Sequence, residues 1–244
     1  MSLKQHLDVV RRRIHEACRR CGRLPSAVTL VAVTKGVPAD GIQEAIALGL
    51  TELGENRVQE ARAKQLATGF RPQASGTALE PAAGSRQPVR WHLIGHLQSN
   101  KAGHAVELFD VIHSVDSLAL VEELERQAER RGRSIGVFVQ VNVSGEQTKC
   151  GCHPDEACAL ARAVNRCAHL RLNGLMTMAP FTQDPEEARP HFRRLRQLRD
   201  ETATALSLQG AALSLSMGMS QDFEVAIEEG ADVVRIGTAI FRGT

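Results

Sequence analysis

Short runs of β-branched and apolar residues recur eight times along this chain, the first seven each followed by a longer stretch of helical period. Few folds accommodate that rhythm. The runs occupy residues 28–33, 52–53, 91–94, 111–114, 136–143, 171–176, 212–216 and 232–236, and helical patterns include 39–48, 56–66, 118–131, 154–167, 185–206 and 221–229. Strand and helix in alternation signal a parallel sheet covered by helices, and eight repeats in 244 residues predict a single-domain (β/α)8 TIM barrel over residues 1–244. Only residues 237–244 follow the eighth run, too few for a full eighth helix. The pattern Leu3, Leu7, Val10, Ile14 and Ala17 predicts a helix over 3–20 that covers the gap from the other end of the chain. In that helix Arg11, Arg12, Arg13, Arg19 and Arg20 read as the solvated side. One segment breaks the rhythm: residues 69–90, rich in Gly, Ala, Ser and Pro, read as a flexible surface loop.

Charge and composition exclude several roles. Lys plus Arg number 30 against 28 acidic residues, so a balanced chain with few aromatics offers no nucleic-acid surface. No apolar stretch approaches the roughly 20 residues that span a bilayer. The N-terminus lacks the basic-then-apolar design of a secretory signal, which makes the cytoplasm the expected compartment and thiols the expected state of the six cysteines. Neither Cys18 and Cys21 nor Cys150 and Cys152 have further ligands at zinc spacing, so no metal site is expected.

Barrel chemistry gathers where strands end and the following loops begin. The residues there are Lys35; Gly54, Glu55 and Asn56; Gly95, His96, Gln98 and Asn100; Ser114 and Asp116; Asn142, Ser144 and Lys149; Thr177; Ser216 to Ser220; and Arg235, Gly237 and Thr238. Ser216-Met217-Gly218-Met219-Ser220 leads toward a helix, so its backbone N–H groups can bind an anion, with Ser220 as hydroxyl donor or N-cap. Gly237 and Thr238 add a close backbone approach and a hydroxyl. Loops after the seventh and eighth strands recur as the phosphate site of this barrel.

A lysine at the first strand end and a phosphate cradle at the seventh and eighth can hold an aldehyde-bearing phosphate ester at both ends. Pyridoxal 5'-phosphate (PLP) meets that description, because its carbonyl condenses with a lysine and its ring nitrogen takes a polar partner. Arg235 is placed to be that partner, or else to serve as an ion-pair residue at the barrel end. A guanidinium keeps its proton, so it would donate to the ring nitrogen and weaken the ring as an electron sink.

Six strings carry a family resemblance: Val31-Ala32-Val33-Thr34-Lys35, Gly54-Glu55-Asn56-Arg57-Val58-Gln59-Glu60, Trp91-His92-Leu93-Ile94-Gly95-His96-Leu97-Gln98-Ser99-Asn100-Lys101, Gly174-Leu175-Met176-Thr177-Met178, Ser216-Met217-Gly218-Met219-Ser220 and Val234-Arg235-Ile236-Gly237-Thr238-Ala239-Ile240-Phe241. They resemble the signature segments of the pyridoxal phosphate homeostasis proteins, barrels similar to the N-terminal domain of alanine racemase (PLP fold type III). The resemblance implies that Lys35 carries PLP as a Schiff base and that Arg235 faces the pyridine nitrogen. It places Asn56 near the ring and Ser220, Gly237 and Thr238 at the phosphate, with Ser216 and Met219 as further cofactor-binding residues. Gly36-Val37 and Cys150-Gly151-Cys152 depart from the family pattern.

Two functions fit such a site. A racemase of this architecture needs acid–base groups on both faces of the cofactor, commonly a lysine and a tyrosine, and this chain has no tyrosine. A decarboxylase or aldolase remains an alternative, with His92, His96 or Cys150 as candidate groups. The expected function is a non-catalytic PLP carrier in homeostasis, a monomer or weak dimer whose partners are PLP and PLP-dependent apo-enzymes.

Overall fold

In the computed structural model, eight parallel strands close into a barrel in simple chain order, the eighth pairing back onto the first. The structure describes residues 1–69, 89–146, 149–208 and 213–241. The strands are β1 (Thr29–Val33), β2 (Glu52–Glu55), β3 (Arg90–Leu93), β4 (Val111–Val115), β5 (Ile135–Gln140), β6 (Leu170–Met176), β7 (Ser214–Ser216) and β8 (Val233–Ile236). Around them lie α1 (Leu3–Arg20), α2 (Ala39–Ala47), α3 (Val58–Thr68), α4 (Ala102–Leu108), α5 (Leu118–Arg131), α6 (Ala157–Asn165), α7 (Arg189–Ala205), α8 (Phe223–Glu228) and α9 (Thr238–Phe241). The expected (β/α)8 barrel is therefore the observed one.

Boundaries differ from the sequence reading where local chemistry overrides hydrophobic pattern. β2 runs on to Glu55 because the buried carboxylate is paired with Lys64, and because Gly54 fits where a Cβ would lie 2.9 Å from Val31 Cγ1. β5 stops at Gln140 rather than residue 143: Asn142 N turns to Cys152 O, and Val141 forms an isolated bridge with Cys152. α6 and α7 each begin later than expected, after a 3-10 turn opened by Pro154 or Pro185. The loop expected over 69–90 ends earlier, since Val89 is buried and Arg90 opens β3, while Gly69 closes α3 in the left-handed conformation (φ 75°). Residues 70–88 lie outside the described ones, as does residue 212 of the seventh run.

The chain end forms one short helical turn, α9, and α1 packs over it and α8 as expected. A Ser2–Gln5 capping box starts α1. Its arginines do more than face water. Arg13 makes a two-pronged contact with Glu224 (2.9 and 2.6 Å) and lies 4.6 Å over the Phe223 ring, and Arg20 reaches Glu228 at 2.6 Å.

Most apolar side chains pack between strands and helices. A second cluster, Val31, Val111, Phe138, Met176 and Val233, comes from strands on opposite sides of the ring, which can meet only inside it. That small apolar layer leaves the rest of the barrel interior to polar groups.

Candidate functional site

The cavity at the C-terminal strand ends has a volume of about 480 Å³. Asn56, Met219, Ser220, Arg235, Gly237 and Thr238 line it, so six of the eight residues expected at the site share one cavity. Val33, Ile94, Met178, Pro180 and Phe181 form an apolar wall, and Gln221 and Asp222 complete the β7 side. A larger hollow of about 660 Å³ follows the solvent side of α1, away from the strand ends.

Two loops build the polar wall. Gly218 has φ 91°, and a Cβ there would lie 2.6 Å from Ala226 Cβ, so the turn needs glycine on both counts. Met219 N donates to Asp222 Oδ1 at 2.6 Å, and Arg235 N to Gly218 O at 3.0 Å, which fastens the β7 loop to β8. Gly237 packs close on Val33, where a Cβ would sit 3.1 Å from Val33 Cβ. Ser220 is not the cap of α8, as the sequence allowed: Asp222 holds that position, and Ser220 Oγ accepts the Ala239 N–H at 3.3 Å. The helix begins three residues later than Ser220. The backbone N–H groups of Ser220, Gln221, Gly237 and Thr238 donate to no described residue. Converging amides with two hydroxyls form an anion cradle.

Arg235 lies beneath this cradle and is buried. Nη1 donates to Ser216 Oγ at 2.7 Å and Nη2 to Thr177 O at 2.9 Å. No described carboxylate lies within ion-pair distance of it. Burial pushes its pKa down to about 10, partly offset by the charge of Asp222, so it remains a cation at neutral pH. Burial also pushes the Asp222 carboxyl up, against the Met219 N–H and the Arg235 charge. A guanidinium has five N–H groups, of which two are engaged; the others remain for a ligand. Ser216, expected among the cofactor-binding residues, is instead fully buried under Arg235 and does not line the cavity.

Lys35 is not among the cavity-lining residues, and its side chain is exposed on the turn after β1. Strand alternation puts Val31 inside the barrel and Val33 on the cavity wall, and Lys35 follows in the turn two residues past the end of β1. It makes no hydrogen bond or ion pair with a described residue. The turn beneath it is firmly held. Thr34 N donates to Gly54 O (2.9 Å), Val37 N and Lys64 Nζ both donate to Thr34 O (2.9 and 2.5 Å), and Thr34 Oγ1 reaches the buried Glu55 (2.5 Å).

Of the other strand-end residues, Gly95 also lines the cavity, whereas those of the β4 and β5 ends do not. Asn142 and Ser144 hold their own loop together, with Asn142 Nδ2 on Glu146 O at 2.8 Å, and Lys149 pairs with Glu146 at 3.0 Å. Cys150 is exposed outside the cavity lining, His96 faces Asp116 at 3.5 Å, and His92 lies inside the barrel.

A family profile described as the alanine racemase N-terminal domain matches residues 5–244. The pyridoxal phosphate homeostasis protein of Aquifex aeolicus is 39% identical over 99% of this chain and 98% of its own length. The chain belongs to the pyridoxal phosphate homeostasis protein family. The member from Pseudomonas aeruginosa is 41% identical, covering 98% of this chain and 95% of its own. Among solved structures, PipY of Synechococcus elongatus with PLP bound superposes with a TM-score of 0.80 at 36% identity, covering 98% of this chain and all of PipY. No described helix is long and apolar enough to cross a membrane.

Proposed function

We propose that this homeostasis-family chain binds PLP in the cavity between the β7 and β8 loops, tethers it reversibly on Lys35, and buffers its supply without turning over a substrate. One observation carries the reading: a buried, unpaired guanidinium faces a cavity whose upper wall holds four unengaged amides. A buried cation without an ion-pair partner is costly unless a ligand supplies the missing acceptors. PLP supplies an anionic phosphate, a ring nitrogen, and an aldehyde that condenses with a primary amine to a linkage another amine can exchange.

Each residue then has a task. Ser220 and Thr238, with the amides of Ser220, Gln221, Gly237 and Thr238, hold the phosphate. Arg235 donates to the ring nitrogen and keeps it unprotonated. Asn56, Val33, Ile94 and Met178 enclose the ring, and Lys35 supplies the amine from a turn pinned by Thr34. The only titratable groups among the described lining residues are Asp222 and Arg235, both engaged in holding the loops or the ring. That lining lacks an acid–base pair, which supports a carrier over a racemase, decarboxylase or aldolase, and apo-enzymes are the natural recipients. The test is a titration of the chain with PLP, followed by a screen of D- and L-amino acids. Saturable uptake with no turnover above about 1 s⁻¹, the low end of ordinary enzyme rates, is expected; faster turnover overturns the carrier reading, and no uptake overturns the cofactor.

A further inference from the structure

The barrel interior holds a file of polar side chains that the cofactor reading does not use. Glu52 Oε2 lies 2.5 Å from His92 Nε2, His92 Nδ1 lies 2.8 Å from His113 Nε2, and His113 Nδ1 lies 2.8 Å from Ser216 Oγ. Ser216 Oγ in turn receives Arg235 Nη1 at 2.7 Å. The file crosses from the start of β2, at the barrel's N-terminal end, through β3, β4 and β7 to β8 beneath the cavity. His113 and Ser216 are fully buried, and His113 also stacks on Phe138 with ring centroids 4.5 Å apart. Barrel interiors are ordinarily filled by branched apolar side chains, so a continuous polar file there calls for a reason.

Donor and acceptor chemistry fixes its direction. Arg235 can only donate and the Glu52 carboxylate at the far end can only accept, so with neutral rings Ser216 Oγ accepts from the guanidinium and gives its own hydrogen to His113 Nδ1. His113 then carries its proton on Nε2 and donates to His92 Nδ1, and His92 donates from Nε2 to the Glu52 carboxylate. Every group is satisfied with neither ring charged. The reversed order would leave two acceptors facing each other at His92 and Glu52, or require an imidazolium inside the barrel. Burial, with the charges of Arg235 and Arg90, holds His113 well below its ordinary range, in keeping with a neutral ring. Arg90 lies 3.7 Å from Glu52 on the same side, and Asp110 is the further carboxylate near His92.

We propose that His113 and Ser216 are positioning residues for Arg235. With His92 and Glu52 they form a one-way hydrogen-bond relay that fixes which guanidinium hydrogens stay free for the ring nitrogen of a bound ligand. The relay deepens the PLP reading and rests on it for the identity of that ring, whereas its direction is a property of the unliganded chain.

Two measurements test it. Nitrogen-15 NMR of histidine-labelled, PLP-free chain at neutral pH should show His113 neutral, protonated on Nε2 and bare on Nδ1; a proton on Nδ1 of His113 overturns the relay. In PLP titrations, His113→Asn keeps an acceptor near the place of Nδ1 and should bind within about twofold of the parent. His113→Leu and Ser216→Ala should each weaken binding by about tenfold, the scale of one lost hydrogen bond to a charged group. The double variant should be no worse than either single one, because both break the same link. Parental affinity in His113→Leu, or equal loss in His113→Asn and His113→Leu, contradicts the positioning role. Should the parent chain itself take up no PLP, the cofactor reading falls while the NMR result still decides the relay.

Discussion

Lys64 Nζ donates to the carbonyl oxygen of Thr34 at 2.5 Å, one residue before Lys35, and the same ammonium pairs with the fully buried Glu55. The amine proposed to tether the cofactor is thus carried on a turn whose backbone is fixed by a second, structural lysine.

This division of labour makes Lys64→Met a demanding substitution. Breaking a buried ion pair by removing one partner costs about 3 to 5 kcal/mol, because the other group is left buried without its partner. Urea denaturation should show that loss in Lys64→Met. Glu55→Gln in the same chain should recover much of it, since the amide leaves no unpaired charge. A double variant no more stable than Lys64→Met would show that Glu55 and Lys64 are not coupled.

Gly218→Ala should be the most damaging single methyl in the phosphate loop. Its φ of 91° and the 2.6 Å approach to Ala226 Cβ together predict a loss of roughly 1 to 3 kcal/mol and weaker phosphate binding. Gly237→Ala, where φ lies outside the left-handed region and a Cβ would approach Val33 at 3.1 Å, should cost less. Thermal melts and PLP titrations of the two variants side by side check the ranking, and equal effects contradict it.

Arg235→Met should separate stability from binding. Replacing a buried cation that has no carboxylate partner by an apolar side chain of similar length is expected to be neutral or stabilising. PLP affinity should fall at least about tenfold with the lost donor. A chain that is strongly destabilised and still binds PLP like the parent would show that the guanidinium serves the barrel rather than the ligand.

The buried His113 predicts a pH dependence with a definite sign. Its folded pKa lies well below the ordinary 6.5, so the unfolded chain binds the extra proton as pH falls and the folded chain does not. Stability is fully present above 6.5 and declines below it, by at most about 1.4 kcal/mol per pH unit for one proton. Denaturant midpoints across that range should show the decline in the parent and a shallower one in His113→Asn.

Much of this was legible in the sequence because strand and loop chemistry are local. The period of the runs predicted the barrel, and Ser220, Gly237 and Thr238, singled out by residue type alone, line one cavity. The relay was not legible as a unit: His92 and His113 are 21 positions apart, and His113 and Ser216 are 103 apart. Only closure of the ring brings them together. The available signal was a histidine set inside each of two otherwise buried apolar strands, Trp91-His92-Leu93 and Ile112-His113-Ser114. The role of Ser216 was misplaced for a related reason. At a strand end the side-chain direction follows the pleat, and one residue separates the cavity wall from the layer beneath it.

Attachment at Lys35 is the central claim, and borohydride trapping tests it most directly. Chain equilibrated with PLP and reduced with borohydride should yield, on peptide mass analysis, a pyridoxyl adduct on the peptide containing Lys35, absent in Lys35→Ala. An adduct confined to another lysine such as Lys64 or Lys149, or no adduct in the parent chain, would contradict the account.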